Sequence, residues 1–223
     1  MYESEQSWRD VDRYVIEELV AEDDALSAAR ETSRAAGLPD HEVAPNQAKL
    51  LALICQMTGA RRVLEFGTLG GYSTIWFARA VGATGHVTTL EVDEQYAEVA
   101  RANFERAGVA DRINLVLGSA TETVEALIAA GEEPYDVVFI DADKPNNPAY
   151  LGAALRLSKS GTVIIGDNIV RNGAVTDPHS DDPRVHGSRA LIEAMGSDPR
   201  LNATALQTVG VKGWDGFALA VVT

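Results

Sequence analysis

One cysteine, Cys55, stands in 223 residues, so no intramolecular disulfide can form. It ends the apolar helical run Leu50-Leu51-Ala52-Leu53-Ile54, and its expected role is a small core side chain rather than a nucleophile. Basic residues are also scarce, 19 Lys and Arg against 33 Asp and Glu, for a net charge of −14. Tracking phosphates needs a concentrated Lys/Arg face, so nucleic acid and anionic membranes are not expected partners. No apolar run approaches the roughly 18 residues that a membrane span requires. Met1-Tyr2-Glu3-Ser4-Glu5 has neither the basic nor the apolar region of a secretory leader. The expectation is a soluble cytoplasmic protein.

Against these absences stands a regular alternation. Val11, Val15, Leu19, Leu26 and Ala29 recur at helical steps, so residues from about 7 to 36 read as one helix, ended by Gly37-Leu38-Pro39-Asp40. Asn46 reads as the N-cap of a helix through about Thr58. Beyond it, strands are expected near 61–66, 86–91, 113–117, 135–141 and 162–167, with helices between them. The strands are near-continuous apolar runs, which implies a parallel sheet covered on both faces. Asn168 to Pro183 reads as a loop or lid carrying His179, with His186 just beyond it read as another lid residue. Two last strands, about 202–209 and 216–222, form an antiparallel hairpin. The expected fold is α/β: a Rossmann-like, doubly wound, seven-stranded sheet with extra N-terminal helices. It is one domain over 1–223, with 1–45 as a helical cap or dimerisation segment and 46–223 as the core.

The stretch Val63-Leu64-Glu65-Phe66-Gly67-Thr68-Leu69-Gly70-Gly71-Tyr72-Ser73 is a buried strand, a glycine turn and a helix start, the opening of a nucleotide-binding unit. The dinucleotide pattern G-x-G-x-x-G fails, because Leu69 and Tyr72 stand where glycines are needed. The P-loop pattern fails too, since no Lys-Ser/Thr follows. Glu65 before the turn would repel a pyrophosphate but could meet an ammonium. Glu91, 24 residues beyond Gly67, is near the spacing at which an acidic residue bonds ribose hydroxyls. An amine and a ribose without phosphate describe S-adenosylmethionine (SAM), whose carboxylate would lie at the helix start by Ser73.

A second group of residues follows later strands. Asp141 ends the fourth, and Asp167 ends the fifth, followed by Asn168. Ends of parallel strands share one sheet edge, so two carboxylates and an amide oxygen can converge there. They are hard ligands that suit Mg²⁺, Ca²⁺ or Mn²⁺ rather than zinc. Helix capping by Asp141 and Asn168 is the plainer alternative. Lys144, three residues on, is placed to accept a phenolic proton; the alternative is a solvated lysine paired with Asp143.

These motifs together resemble the cation-dependent class I O-methyltransferases of the caffeoyl-CoA and catechol O-methyltransferase type, over about residues 40–222. By that resemblance, Val43-Ala44-Pro45-Asn46-Gln47 closes over the methionine part of the cofactor. The stretch 63–73 is similar to the family's first motif, so Glu65, Gly67, Thr68, Gly71, Tyr72 and Ser73 are implied cofactor contacts. Leu90-Glu91-Val92-Asp93 resembles the ribose segment, and Gly118-Ser119-Ala120 the stretch that meets the adenine. Asp141-Ala142-Asp143-Lys144 and Asp167-Asn168 look like the paired metal motifs, with Lys144 in the position of the base and Asp141 serving metal and cofactor. The implied activity is methylation of one of two vicinal hydroxyls on a small aromatic. The family and the amphipathic first helix imply a homodimer. Alternatives are a tRNA hydroxyuridine O-methyltransferase, against which the acidic balance weighs, and a non-catalytic SAM-binding protein. The plant-type tyrosine is replaced by Asn147 and its frequent tryptophan by Arg171, and Ala205-Leu206-Gln207-Thr208-Val209 lacks the catechol enzyme's acidic substrate-orienting residue.

Overall fold

Apolar runs bounded by turn residues become strands, and the amphipathic stretches between them become helices. The computed structural model describes residues 5–223, so the leader expectation lies, over residues 1–4, outside the described residues. The expected first helix is two: α1 (Glu5–Leu19) and α2 (Asp24–Ala35). Between them Ala21 turns left-handed with φ 48°, which no α-helix accommodates. Asp23 then starts α2 afresh, its side chain accepting the Leu26 N–H. Helix α3 (Pro45–Thr58) is preceded by Ala44 at the cap, not by Asn46. Pro45 has no N–H to leave unsatisfied in the first turn, so the helix begins there.

The contacts fall into two compact units. In Tyr14–Thr123, strands β1 (Arg62–Phe66), β2 (His86–Glu91) and β3 (Ile113–Leu117) run parallel, with Phe66 beside Leu90 and Glu91 beside Leu117. Helices α4 (Tyr72–Ala80) and α5 (Glu94–Arg106) connect them, and α6 (Ala120–Ala129) follows β3. Cys55 is buried, as expected of a core side chain.

The other unit holds Val124–Thr223 and the start of the chain. It contains β4 (Tyr135–Ile140), α7 (Asn147–Arg156), β5 (Ser158–Asp167), α8 (Pro183–Ser197), β6 (Leu201–Gly210) and β7 (Gly213–Val222). Strands β4 and β5 are parallel, whereas β7 is antiparallel to both β5 and β6, which confirms the C-terminal hairpin. Val137, Val138, Phe139 and Ile140 are fully buried. Each such side chain contributes about 1.5–3 kcal/mol of burial, which is why β4 carries no polar alternation. In sheet order the seven strands read β3-β2-β1-β4-β5-β7-β6, a mostly parallel sheet with an antiparallel edge. No helix among the described residues is long and apolar enough to cross a membrane.

Candidate active site

The glycine turn after β1 is held by a carboxylate. Glu91, buried at the end of β2, accepts the N–H groups of Thr68 (3.2 Å) and Leu69 (2.8 Å) on Oε2. Its Oε1 accepts those of Val92 (2.8 Å) and Asp93 (2.9 Å). Asn103 of α5 donates to the Gly70 carbonyl at 2.9 Å, tying the turn to that helix. Packing explains the glycines. A Cβ on Gly70 would stand 1.9 Å from Ser33 Oγ, and one on Gly71 2.3 Å from the Phe104 ring. Gly71 also has φ +81°, where L side chains are strained.

Glu65 is fully buried beneath this turn. Its carboxylate accepts from the hydroxyls of Ser73 (2.6 Å), Thr89 (2.7 Å) and Thr74. Thr68 and Thr89 share a hydroxyl bond of 2.6 Å beside it. The turn is therefore backed by oriented hydroxyls around one carboxyl group. The Tyr72 hydroxyl is not among them: it donates to Glu22 at 2.6 Å, and Arg30, paired with Glu22 at 3.1 Å, lies over its ring. Burial, then the bond to Glu22, raises the Tyr72 hydroxyl well above the usual tyrosine range.

The other unit carries the acidic pair. Register sets Ile140 of β4 against Gly166 of β5. The next residues are Asp141, just past the end of β4, and Asp167, the last of β5, and such neighbouring parallel strands lie about 4.8 Å apart. Lys144, only 6% exposed, donates to Asp141 Oδ1 at 2.8 Å. Asp143 is taken by Asn146 (2.6 Å) and by the Tyr150 hydroxyl. Burial and the Asp143 carboxylate raise the Tyr150 pKa. The lysine is therefore no solvated partner of Asp143. Its turn is pressed against α8, where a Cβ on Gly187 would come within 1.8 Å of the Lys144 carbonyl oxygen. Asn168 follows with φ 54°, and its carbonyl accepts from Ser188 Oγ at 3.1 Å.

No group of three His, Cys, Asp or Glu side chains able to hold a metal occurs among the described residues. The oxygen set of Asp141, Asp167 and Asn168 is of another kind. A buried carboxylate such as Asp167 calls for a positive charge beside it, and hard divalent cations take such oxygens. The donor set fits one.

Residues 17–221 match the family model described as O-methyltransferase. The chain belongs to the O-methyltransferase family. A catechol O-methyltransferase of Mycobacterium tuberculosis is 52% identical, the match covering 96% of this chain and 95% of that protein. The crystal structure of an O-methyltransferase from Bacillus cereus, in complex with SAH, is 50% identical with a TM-score of 0.97, covering 99% of this chain and 100% of that one. The O-methyltransferase involved in tomaymycin synthesis in Streptomyces achromogenes, solved with SAM, is 44% identical with a TM-score of 0.96 over 100% of both chains.

Within this O-methyltransferase the expected cofactor residues divide by position. Gly67, Glu91 and Ser119 follow or end β1, β2 and β3, which share one edge because they are parallel. Gly67 N–H bonds Leu90 O at 3.0 Å, and Gly118 N–H bonds Glu91 O at 2.8 Å, extending the ladder to that edge. Ser119 shares a hydroxyl bond with Thr121 (2.9 Å), and Ala120 opens α6. Val43 is buried just before α3, whereas the Val92 side chain is 74% exposed and only its N–H enters the turn. His186 is a helix residue of α8, not a lid residue, with a ring nitrogen against the Ser180 carbonyl. The preceding segment includes a short 3-10 turn, Ala174–Thr176. Asn103, Gly187 and Ser188 escaped the sequence reading. A glycine inside the expected 185–195 helix was the one available signal for close backbone approach.

Proposed function

We propose that this family member is a SAM-dependent, divalent-cation-dependent O-methyltransferase acting on one of two vicinal hydroxyls of a small aromatic. The observation that carries the reading is the neighbouring pair Asp141 and Asp167, with Asn168 next in sequence and Lys144 bonded to Asp141. The M. tuberculosis relative named for catechol supports the substrate class. When bound, the cation would favour the phenolate of a chelating diol, and SAM would supply an electrophilic methyl group.

The chain's own residues would do the rest. Lys144 Nζ would take the phenolic proton, oriented by its bond to Asp141 Oδ1. Asp141, Asp167 and Asn168 would present the oxygens that hold the cation. Glu65 and its hydroxyl ring would recognise the ammonium, and the start of α4 the carboxylate of the methyl donor. Glu91 would receive ribose hydroxyls on the carboxylate that already holds the turn. A second copy is the proposed partner of α1, whose Val11, Tyr14 and Leu19 are exposed; light scattering showing only monomer would rule it out.

The test is transfer of a radiolabelled methyl group from SAM to catechol, with Mg²⁺ or with excess EDTA. Transfer should require the cation, and Lys144→Ala should lower kcat by about 10²–10⁴-fold while SAH still binds. Full activity in EDTA would remove the cation from the reading.

A further inference from the structure

We propose that Asp215 is a positioning residue for the cation site, fixing the loop through which β5 presents Asn168. The loop is unusual in its backbone. Asn168, Arg171 and Asn172 have φ of 54°, 55° and 54°, a region that side-chain-bearing residues rarely adopt. Such a path persists only where its surroundings hold it.

The holding segment is the start of β7. The N–H of Ile169 reaches Gly216 O at 3.1 Å, and that of Asn172 reaches Trp214 O at 3.2 Å. Between them, Val170 and Arg171 both donate to Asp215 Oδ1, at 2.9 and 3.1 Å. Four successive amides thus end on three successive residues. The outer two use backbone carbonyls, which any sequence supplies, while the inner two depend on the Asp215 side chain. On its other side Asn168 is held by Ser188 through the carbonyl. The Asn168 carbonyl and the N–H that follows it are thus both held, which fixes the backbone from which the Asn168 side chain projects. The Arg171 guanidinium stands 4.0 Å from Asp215 Oδ2 in a partly exposed pair, too long and too wet to do the same work.

This rests on reading Asp141, Asp167 and Asn168 as cation ligands, so the experiment separates the two. The probe is Mn²⁺ alone, titrated into the full-length protein and followed by the electron paramagnetic resonance of the free ion. Wild type should bind it, and Asp215→Ala should weaken binding by about 10–100-fold, the effect of losing a group that orients a ligand. Asp215→Asn keeps an oxygen for both amides and should restore affinity to within about threefold of wild type. Arg171→Ala keeps both backbone bonds and should stay within about twofold. Amides 169–172 should exchange hydrogen faster in Asp215→Ala without any metal. In methyl transfer, the KM for Mn²⁺ should rise while kcat at saturating Mn²⁺ holds. Should the alanine variant not fold, Asp215→Ser, too short to reach both amides, repeats the titration with the same expected loss. A folded alanine or serine variant with wild-type Mn²⁺ affinity overturns the proposal. So does an arginine variant as weak as Asp215→Ala. A wild type that binds no Mn²⁺ overturns the cation reading and this inference with it, and the wild-type titration alone reveals that.

Discussion

Glu91 is the side chain on which the glycine turn most depends, and its replacement gives a graded prediction. Its two oxygens accept four backbone N–H groups, two from the turn and two from its own following residues. Alanine leaves all four without an acceptor. A buried donor so orphaned costs about 1–3 kcal/mol, but Val92 is exposed, and its N–H and that of Asp93 can turn to water. The loss is therefore set by Thr68 and Leu69, about 2–6 kcal/mol in all. Glutamine should cost less, about 1–3 kcal/mol, because its one oxygen can serve Thr68 and Leu69 while its amide faces the hydratable pair. Urea unfolding gives both values from the midpoint at constant slope. Titration calorimetry with SAH should show at least about tenfold weaker binding for Glu91→Ala, since the turn proposed to receive the cofactor loses its anchor. An alanine variant within 1 kcal/mol of wild type that also binds SAH normally would refute this account of the turn.

Gly71→Ala combines a left-handed backbone with a clash against Phe104 and should destabilise by about 2–4 kcal/mol. Adding Phe104→Leu should recover only the packing part, and complete recovery in urea unfolding would show that the backbone contributes nothing. Tyr72 and Tyr150 both have folded pKa values above the ordinary tyrosine range, through burial and their acidic partners. Their contribution is present below about pH 10, the unfolded value, and is lost as pH rises through the raised folded values. Absorbance near 295 nm should show them ionising only as the protein unfolds. A Tyr72→Phe, Tyr150→Phe double variant should lack that late step, and an unchanged trace would contradict the assignment.

Much of the architecture was legible because it depends on local pattern. The strand positions follow from continuous apolar runs, and the hairpin from the short turn between the last two. The first helix was misjudged because its apolar spacing continues across Ala21, and nothing local reveals a left-handed residue there. Asn46 was misjudged because Pro45 can open a helix by itself. Asp215 had no signal at all, since the amides it serves lie 44 and 45 residues earlier.

Sequence alone determined the class of chemistry. A glycine turn after β1, acidic residues at strand ends and the Asp141, Lys144, Asp167, Asn168 motifs are short-range, and within each unit parallel strands bring their ends to one edge whatever packs around them. Tertiary structure decided what each group touches. It ringed Glu65 with three hydroxyls, committed Glu91 to four amides, turned Tyr72 toward Glu22 and bonded Lys144 to Asp141 instead of Asp143. Burial forces every polar atom to find a partner, and packing brings that partner from distant parts of the chain, where local pattern carries no record of it.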